Sequence, residues 1–190
     1  IFEANDEINC TEFTFRELLV EVETFAKFLV SNGIAKGDRV VTYLPMIPAL
    51  PIAMLACSRI GAVHSVVFAG YSAKSLAQRV QDCEAKMVIT ASASRRAEKI
   101  IPLKKIVDEA MEICDSDGFR VNKVVVKHNA DIEMEGVPHL SIEDVPFHPD
   151  RDLWWNESVA EFRTDGKPAP IEFLDSCDTA FILYTSGSTG

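Results

Sequence analysis

The run Thr185, Ser186, Gly187, Ser188, Thr189 and Gly190 places four hydroxyls and two glycines directly behind an apolar stretch at 179–184. Hydroxyls donate and accept hydrogen bonds, and glycine lets backbone N–H groups approach a ligand with no side chain in the way. Such a loop suits phosphate. It is neither the G-x-x-x-x-G-K-[ST] of a Walker A loop nor the G-x-G-x-x-G of a dinucleotide fold, and neither pattern occurs elsewhere in the chain. A plain Ser/Gly linker is the competing reading, but a linker rarely follows so apolar a strand. Arg95, Arg96 and Lys99 form a basic cluster whose plain reading is a solvated loop.

Other reactive side chains point to no site. Five cysteines (Cys10, Cys57, Cys83, Cys114, Cys177) are an odd number, widely spaced and without C-x-x-C, so neither a disulfide framework nor a zinc site is expected. A reducing compartment, the cytoplasm or an organelle matrix, fits that usage. The histidines (His64, His128, His139, His148) lack H-E-x-x-H or comparable spacing, and no metal site is assigned. His64 lies in an apolar stretch and is read as a packed side chain. Asn9-Cys10-Thr11 and Asn156-Glu157-Ser158 match the glycosylation pattern, but no signal peptide accompanies them and chance is the better reading.

The 190 residues carry 19 basic and 29 acidic side chains, a formal charge of −10, with 47% hydrophobic and 25% charged residues. That composition excludes disorder. The acidic balance argues against holding nucleic acid or anionic lipid by net charge. The uncharged stretch 40–58 approaches the length of a membrane span, but Pro45, Pro48 and Pro51 would break a continuous helix. Strand, loop and short buried helix is the expectation there. The first nine residues hold neither Met nor a targeting signal, which reads as a start inside something larger.

The elements that must position these loops alternate. Thr14-Phe15-Arg16-Glu17 has the form of a capping box, and Phe15, Leu18, Leu19, Val22, Phe25, Ala26 and Leu29 follow at helical spacing up to Gly33. Strands are predicted at 39–43, 63–68, 87–90, 121–126 and 179–184, the last buried. Helices are predicted at 49–60, at 73–82 behind Ser72, and from Pro102 as first helical residue. This order predicts an α/β fold, a largely parallel layered sheet with helices on both faces. Residues 127–178 read as a long irregular excursion with at most one helix, near 152–162. Trp154 and Trp155 are taken as aromatic anchors for it.

Tyr184-Thr-Ser-Gly-Ser-Thr-Gly190 resembles the phosphate loop of the adenylate-forming enzymes, the acyl-CoA synthetase superfamily. Tyr43-Leu-Pro-Met-Ile-Pro48, Ala53-Met-Leu-Ala-Cys57, Arg59-Ile-Gly-Ala-Val-His-Ser-Val-Val-Phe68 and Asp150-Arg-Asp-Leu-Trp-Trp155 resemble the acetyl-CoA synthetase family, in the order that family has them. The double tryptophan favours the acetate enzymes over their propionate relatives. The resemblance implies part of the large N-terminal domain of an adenylate-forming enzyme, an incomplete adenylation domain over 1–190 without the C-terminal domain. It implies acetate, CoA and ATP with Mg²⁺ as small-molecule substrates, and no tightly bound cofactor. It implies that residues 185–190 hold ATP phosphate and that CoA meets Phe68, Ala69, Gly70, Arg96 and Lys99. Ala69 stands where the family has glycine, an added methyl expected to crowd the cofactor. Lys99 stands where the family has arginine, which keeps the charge and loses the bidentate fork.

Two other readings are weighed. A non-catalytic nucleotide- or CoA-binding module on the same scaffold is compatible with Ala69 and Lys99. An unrelated α/β oxidoreductase would need a glycine fingerprint that is missing.

The resemblance also yields a prediction. The family's metal-binding acid, acetate pocket and catalytic lysine have no counterpart in these 190 residues. The purified 190-residue chain should therefore give no acetate-dependent AMP or acetyl-CoA, and turnover that survives removal of contaminating enzyme would count against the expectation.

Overall fold

The computed structural model describes residues 12–96, 99–129, 141–164 and 166–185. Helix α1 (Phe15–Ser31) opens on the expected capping box. The Glu17 N–H donates to Thr14 Oγ1 at 3.2 Å, and the Thr14 N–H donates back to Glu17 Oε2 at 2.7 Å. The apolar stripe is shorter than its periodicity implied. Phe15 is 94% exposed and Leu19 half-exposed, because the first turn extends past the packed interface and burial begins at Val22.

Strand β1 (Arg39–Tyr43), helix α2 (Ala49–Arg59), strand β2 (Val63–Val66), helix α3 (Ala73–Asp82) and strand β3 (Met87–Ala91) follow in alternation. Ser72 caps α3 by accepting from the Ser75 N–H at 3.3 Å. A hairpin of β4 (Ser94–Arg96) and β5 (Lys99–Ile101) comes next, then helix α4 (Leu103–Ser116) and strand β6 (Lys123–Lys127). Strand β7 (Asp152–Trp154), helix α5 (Trp155–Arg163) and strand β8 (Phe181–Ile182) complete the order.

Among the described residues six strands form one parallel sheet in the order β7-β6-β3-β1-β2-β8. The chain moves from β1 to β2 in one direction and from β2 back past β1 to β3 in the other. Right-handed crossovers therefore put α2 and α3 on opposite faces. Helix α1 packs with α2 and α5, and α3 packs with α4. Covered on both sides, β3 is wholly buried, as are Val40 to Tyr43 in β1 and Val124 to Val126 in β6. Phe25 of α1 stacks on Trp155 at 3.8 Å between ring centroids, and Phe147 stacks on Trp154 at 4.9 Å. Both tryptophans are thus the packing anchors that the sequence suggested.

Several boundaries differ from expectation. Strand β2 ends at Val66, two residues early, because the chain must turn toward α3. Pro102 is the N-cap of α4 and not its first residue, with ψ of 83° as the chain leaves β5. Residues Asp152 to Trp154, read as helix from sequence, pair instead with Val124 to Val126 as an edge strand. Strand β8 is short and exposed at Phe181, not buried, because among the described residues it pairs with β2 alone. Gly61, at φ +71°, turns the chain into β2; a Cβ there would lie 3.0 Å from the Leu174 side chain, so both conformation and space require glycine.

The edge strand β7 is fastened by buried charge. Lys104 of α4, fully buried, places Nζ 2.8 Å from Asp152 Oδ2 and 2.6 Å from Asp108 Oδ1. Arg151 Nε lies 2.8 Å from Asp152 Oδ1, and Arg151 also pairs with Asp108. The His148 N–H donates to Asp152 Oδ2 at 2.8 Å, and the Asp152 N–H donates to the His148 carbonyl at 2.7 Å. Two cations and two carboxylates neutralise one another out of water, where an unpaired member would be costly. Burial alone would raise the Asp152 carboxyl, but the bonds from Arg151 and Lys104 outweigh it and hold its pKa below the ordinary value.

This arrangement predicts how stability responds to mutation and pH. Lys104→Met should cost about 3 kcal/mol, the lower end for breaking a buried pair, because Arg151 still holds Asp152. Asp152 contributes stability that is present above its unfolded pKa, near 4, and lost as pH falls through the lower folded value. Urea unfolding midpoints measured from pH 7 down to pH 3 should fall less steeply for Asp152→Asn than for the parent chain.

Candidate functional site

Parallel strands end together, so the segments leaving β2, β3 and β8 share one edge of the sheet. After β2 the chain makes the turn 68–71, closed by the Tyr71 N–H donating to the Phe68 carbonyl at 3.0 Å. Phe68 is 63% exposed, and its ring meets the Tyr71 ring edge-on at 5.9 Å. It lies over Gly70, where an added Cβ would fall 2.4 Å from a ring carbon. Ala69 is buried within the hydrophobic core.

After β3, where the sequence predicts a loop, the structure has the antiparallel β4–β5 hairpin. Its register sets Arg96 directly opposite Lys99, and Arg95 opposite Ile100. Directly paired residues share a face with Cβ atoms about 5 Å apart. Arg96 and Lys99, both exposed, therefore form a single dicationic patch. The base of the hairpin is held to β6: the Ser92 N–H donates to the Lys127 carbonyl at 2.9 Å, and the Asn129 N–H donates to Ser92 Oγ at 3.0 Å. Strand β1 lies between β3 and β2, so the strands that lead to the hairpin and to the 68–71 turn stand two strand spacings apart, about 10 Å.

Strand β8 runs beside β2, pairing His64 with Phe181 and Ser65 with Ile182. Its exit therefore falls next to the 68–71 turn. Thr185 is exposed at that exit, whereas Ser186, Gly187, Ser188, Thr189 and Gly190 lie outside the described residues. Tyr184, at the root of the loop, donates its hydroxyl to Asp82 Oδ2 at 2.6 Å. Burial and that bond push the phenol well above its ordinary pKa. His64 is buried and stacks on Phe181 at 5.7 Å; burial lowers its pKa, which favours the neutral ring. It is packed, as expected.

Sequence reasoning missed Arg79. This α3 residue is only 6% exposed, with its guanidinium carbon 4.5 Å from the centroid of the Tyr71 ring and 5.2 Å from that of Tyr184. A signal was present: Leu76, Arg79, Val80 and Cys83 follow the i, i+3, i+4, i+7 spacing of a buried helix face. A cavity of about 580 Å³ opens elsewhere, between α1, the start of α2, the end of β6 and α5. Its lining includes Glu21, Ile47, Lys127, Trp155 and Arg163 and none of the residues proposed for phosphate or CoA. Among the described residues no group of three or more His, Cys, Asp or Glu could hold a metal ion, and no helix is long and apolar enough to cross a membrane.

Comparison with known proteins connects this edge to a family. An acetyl-coenzyme A synthetase of Drosophila melanogaster is 50% identical over 179 residues, covering 93% of this chain and 26% of that protein. One of Desulfatibacillum aliphaticivorans is 47% identical over 190 residues, covering 100% of this chain and 27% of that protein. The chloroplastic/glyoxysomal acetyl-coenzyme A synthetase of Arabidopsis thaliana is 45% identical over 177 residues, covering 93% of this chain and 22% of its own. The chain thus spans about a quarter of the length of these curated relatives. Among solved structures, the acetoacetyl-CoA synthetase from Streptomyces lividans superposes with a TM-score of 0.73 at 25% identity, covering 93% of this chain and 24% of that one. The family model described as AMP-binding enzyme matches residues 5–190, and a chain matched over nearly its whole length, on a shared parallel sheet, belongs to that family.

Proposed function

We propose that this chain is part of an acetate–CoA ligase, an incomplete N-terminal adenylation domain of an enzyme that works in the cytoplasm or an organelle matrix. In the first half-reaction an acetate oxygen attacks the α-phosphorus of MgATP, forming acetyl-adenylate and releasing pyrophosphate. In the second the CoA thiol, giving up its proton, attacks the acyl carbonyl; AMP leaves with the electron pair of the broken bond, and acetyl-CoA results. Residues 185–190 bind ATP phosphate. Phe68, Ala69 and Gly70 meet CoA through the turn, and Arg96 and Lys99 meet its phosphates.

The observation that carries this reading is the register of the hairpin. Like charges directly opposite each other destabilise a strand pair, yet Arg96 and Lys99 face each other, exposed, on a hairpin anchored to the sheet. A polyanionic ligand reverses the sign of that term, since each phosphate contact becomes a charge-assisted hydrogen bond. The sequence likeness to enzymes named acetyl-coenzyme A synthetase supports the same ligand.

Two experiments on the full-length enzyme test the two loops separately. Charge-assisted bonds are worth about 1.5–3 kcal/mol, so Arg96→Ala should weaken CoA use roughly 10- to 100-fold while acetate-dependent pyrophosphate exchange hardly changes. A parallel fall in both half-reactions would make the hairpin structural. Gly187→Val puts a β-branched side chain where backbone must approach phosphate, so pyrophosphate exchange should fall and CoA binding persist. Exchange at the parental rate would return residues 184–190 to a linker.

A further inference from the structure

We propose that Arg79 is a positioning residue that joins the 68–71 turn to the root of the phosphate loop, so that both are set by one guanidinium. The inference rests on the assignment of those loops to CoA and ATP, and adds the group that seats them both. The guanidinium lies between two rings, Tyr71 at 4.5 Å and Tyr184 at 5.2 Å, supplied by segments distant in sequence. Its Nη1 donates to the Ser75 carbonyl at 2.8 Å, which fixes the side chain against its own helix. Both tyrosines are tethered in turn, Tyr71 by its backbone and Tyr184 by its hydroxyl. The Tyr43 hydroxyl donates to the Tyr71 carbonyl at 2.7 Å, and the Tyr184 hydroxyl donates to Asp82 Oδ2 at 2.6 Å.

Arginine suits this place because its guanidinium is planar and can offer a face to each ring, whereas an ammonium is a compact, strongly hydrated point charge. The contact continues outward, since Tyr71 meets Phe68 edge-on at 5.9 Å. In the other direction Tyr184 is the residue before Thr185. The guanidinium that seats the turn at 68–71 therefore also seats the residue from which the phosphate loop starts.

The test uses the full-length enzyme with Arg79→Met, Arg79→Lys and Tyr184→Leu, measured beside Arg96→Ala and Gly187→Val. Arg79→Met should raise KM for both ATP and CoA about tenfold with kcat of the folded fraction within about twofold, the loss of a desolvated cation–π contact being of that order. Arg79→Lys should fall between Met and the parent. Tyr184→Leu, on the ATP side, should raise KM for CoA as well, and it keeps the proposal testable where Arg79→Met does not fold. An unchanged KM for CoA in the Arg79 and Tyr184 variants, or a loss of kcat alone, overturns the proposal. If Arg96→Ala and Gly187→Val are also silent, the loop assignments fail with it; if those two act as expected, the role of Arg79 alone fails.

Discussion

Parallel pairing forces every strand of the sheet to finish at the same edge, and the rest of the molecule follows from that constraint. Each strand must be carried back by a crossover, so helices cover both faces and the inner strands lose all contact with water. The segments that leave the strands collect where the strands end. Turn 68–71 after β2, the hairpin after β3 and the loop after β8 are brought to one rim although they lie far apart in sequence. Opposite exits of α2 and α3 from neighbouring strands open that rim to a ligand, as in other open α/β sheets.

The two ends of the sheet are managed by different physics. At β7 the edge is closed by a neutral cluster of Lys104, Asp108, Arg151 and Asp152, reinforced by Trp154 and Trp155 stacking on Phe147 and Phe25. Directional hydrogen bonds set the register there, and aromatic burial gives the adhesion. At β8 the edge has partners on one side only among the described residues, and Phe181 and Leu183 remain exposed. The β7 end is thus fastened by paired charge and stacked rings, whereas the β8 end leads directly to Thr185.

Net charge is a poor guide to the chemistry of this rim. The chain carries a formal charge of −10, yet two cations stand side by side on the hairpin. Carboxylates elsewhere hold their own cations: Glu21 pairs with Arg163, Glu23 with Arg59 and Asp38 with Lys86. Local geometry decides what an anion meets, because screening confines each charge to about 8–10 Å at ordinary ionic strength.

What the sequence determined by itself was whatever depends on neighbours along the chain. The capping box at Thr14, the limits of β1 and α3, the order of strands and helices and the Ser/Gly loop are all written in spacings of a few residues. Only the tertiary structure decided the features whose partners are distant. Asp152 is a strand residue because Lys104 and β6 await it, and a local pattern reads the same stretch as helix. Arg96 and Lys99 become one patch through a register that composition does not encode. Arg79 is held between two rings only once β8 lies beside β2, and no spacing within α3 can name the tyrosines that meet it. Local propensity acts over one or two turns of chain, while pairing across the sheet joins residues more than a hundred positions apart, and for that reason the elements were legible and their meeting points were not.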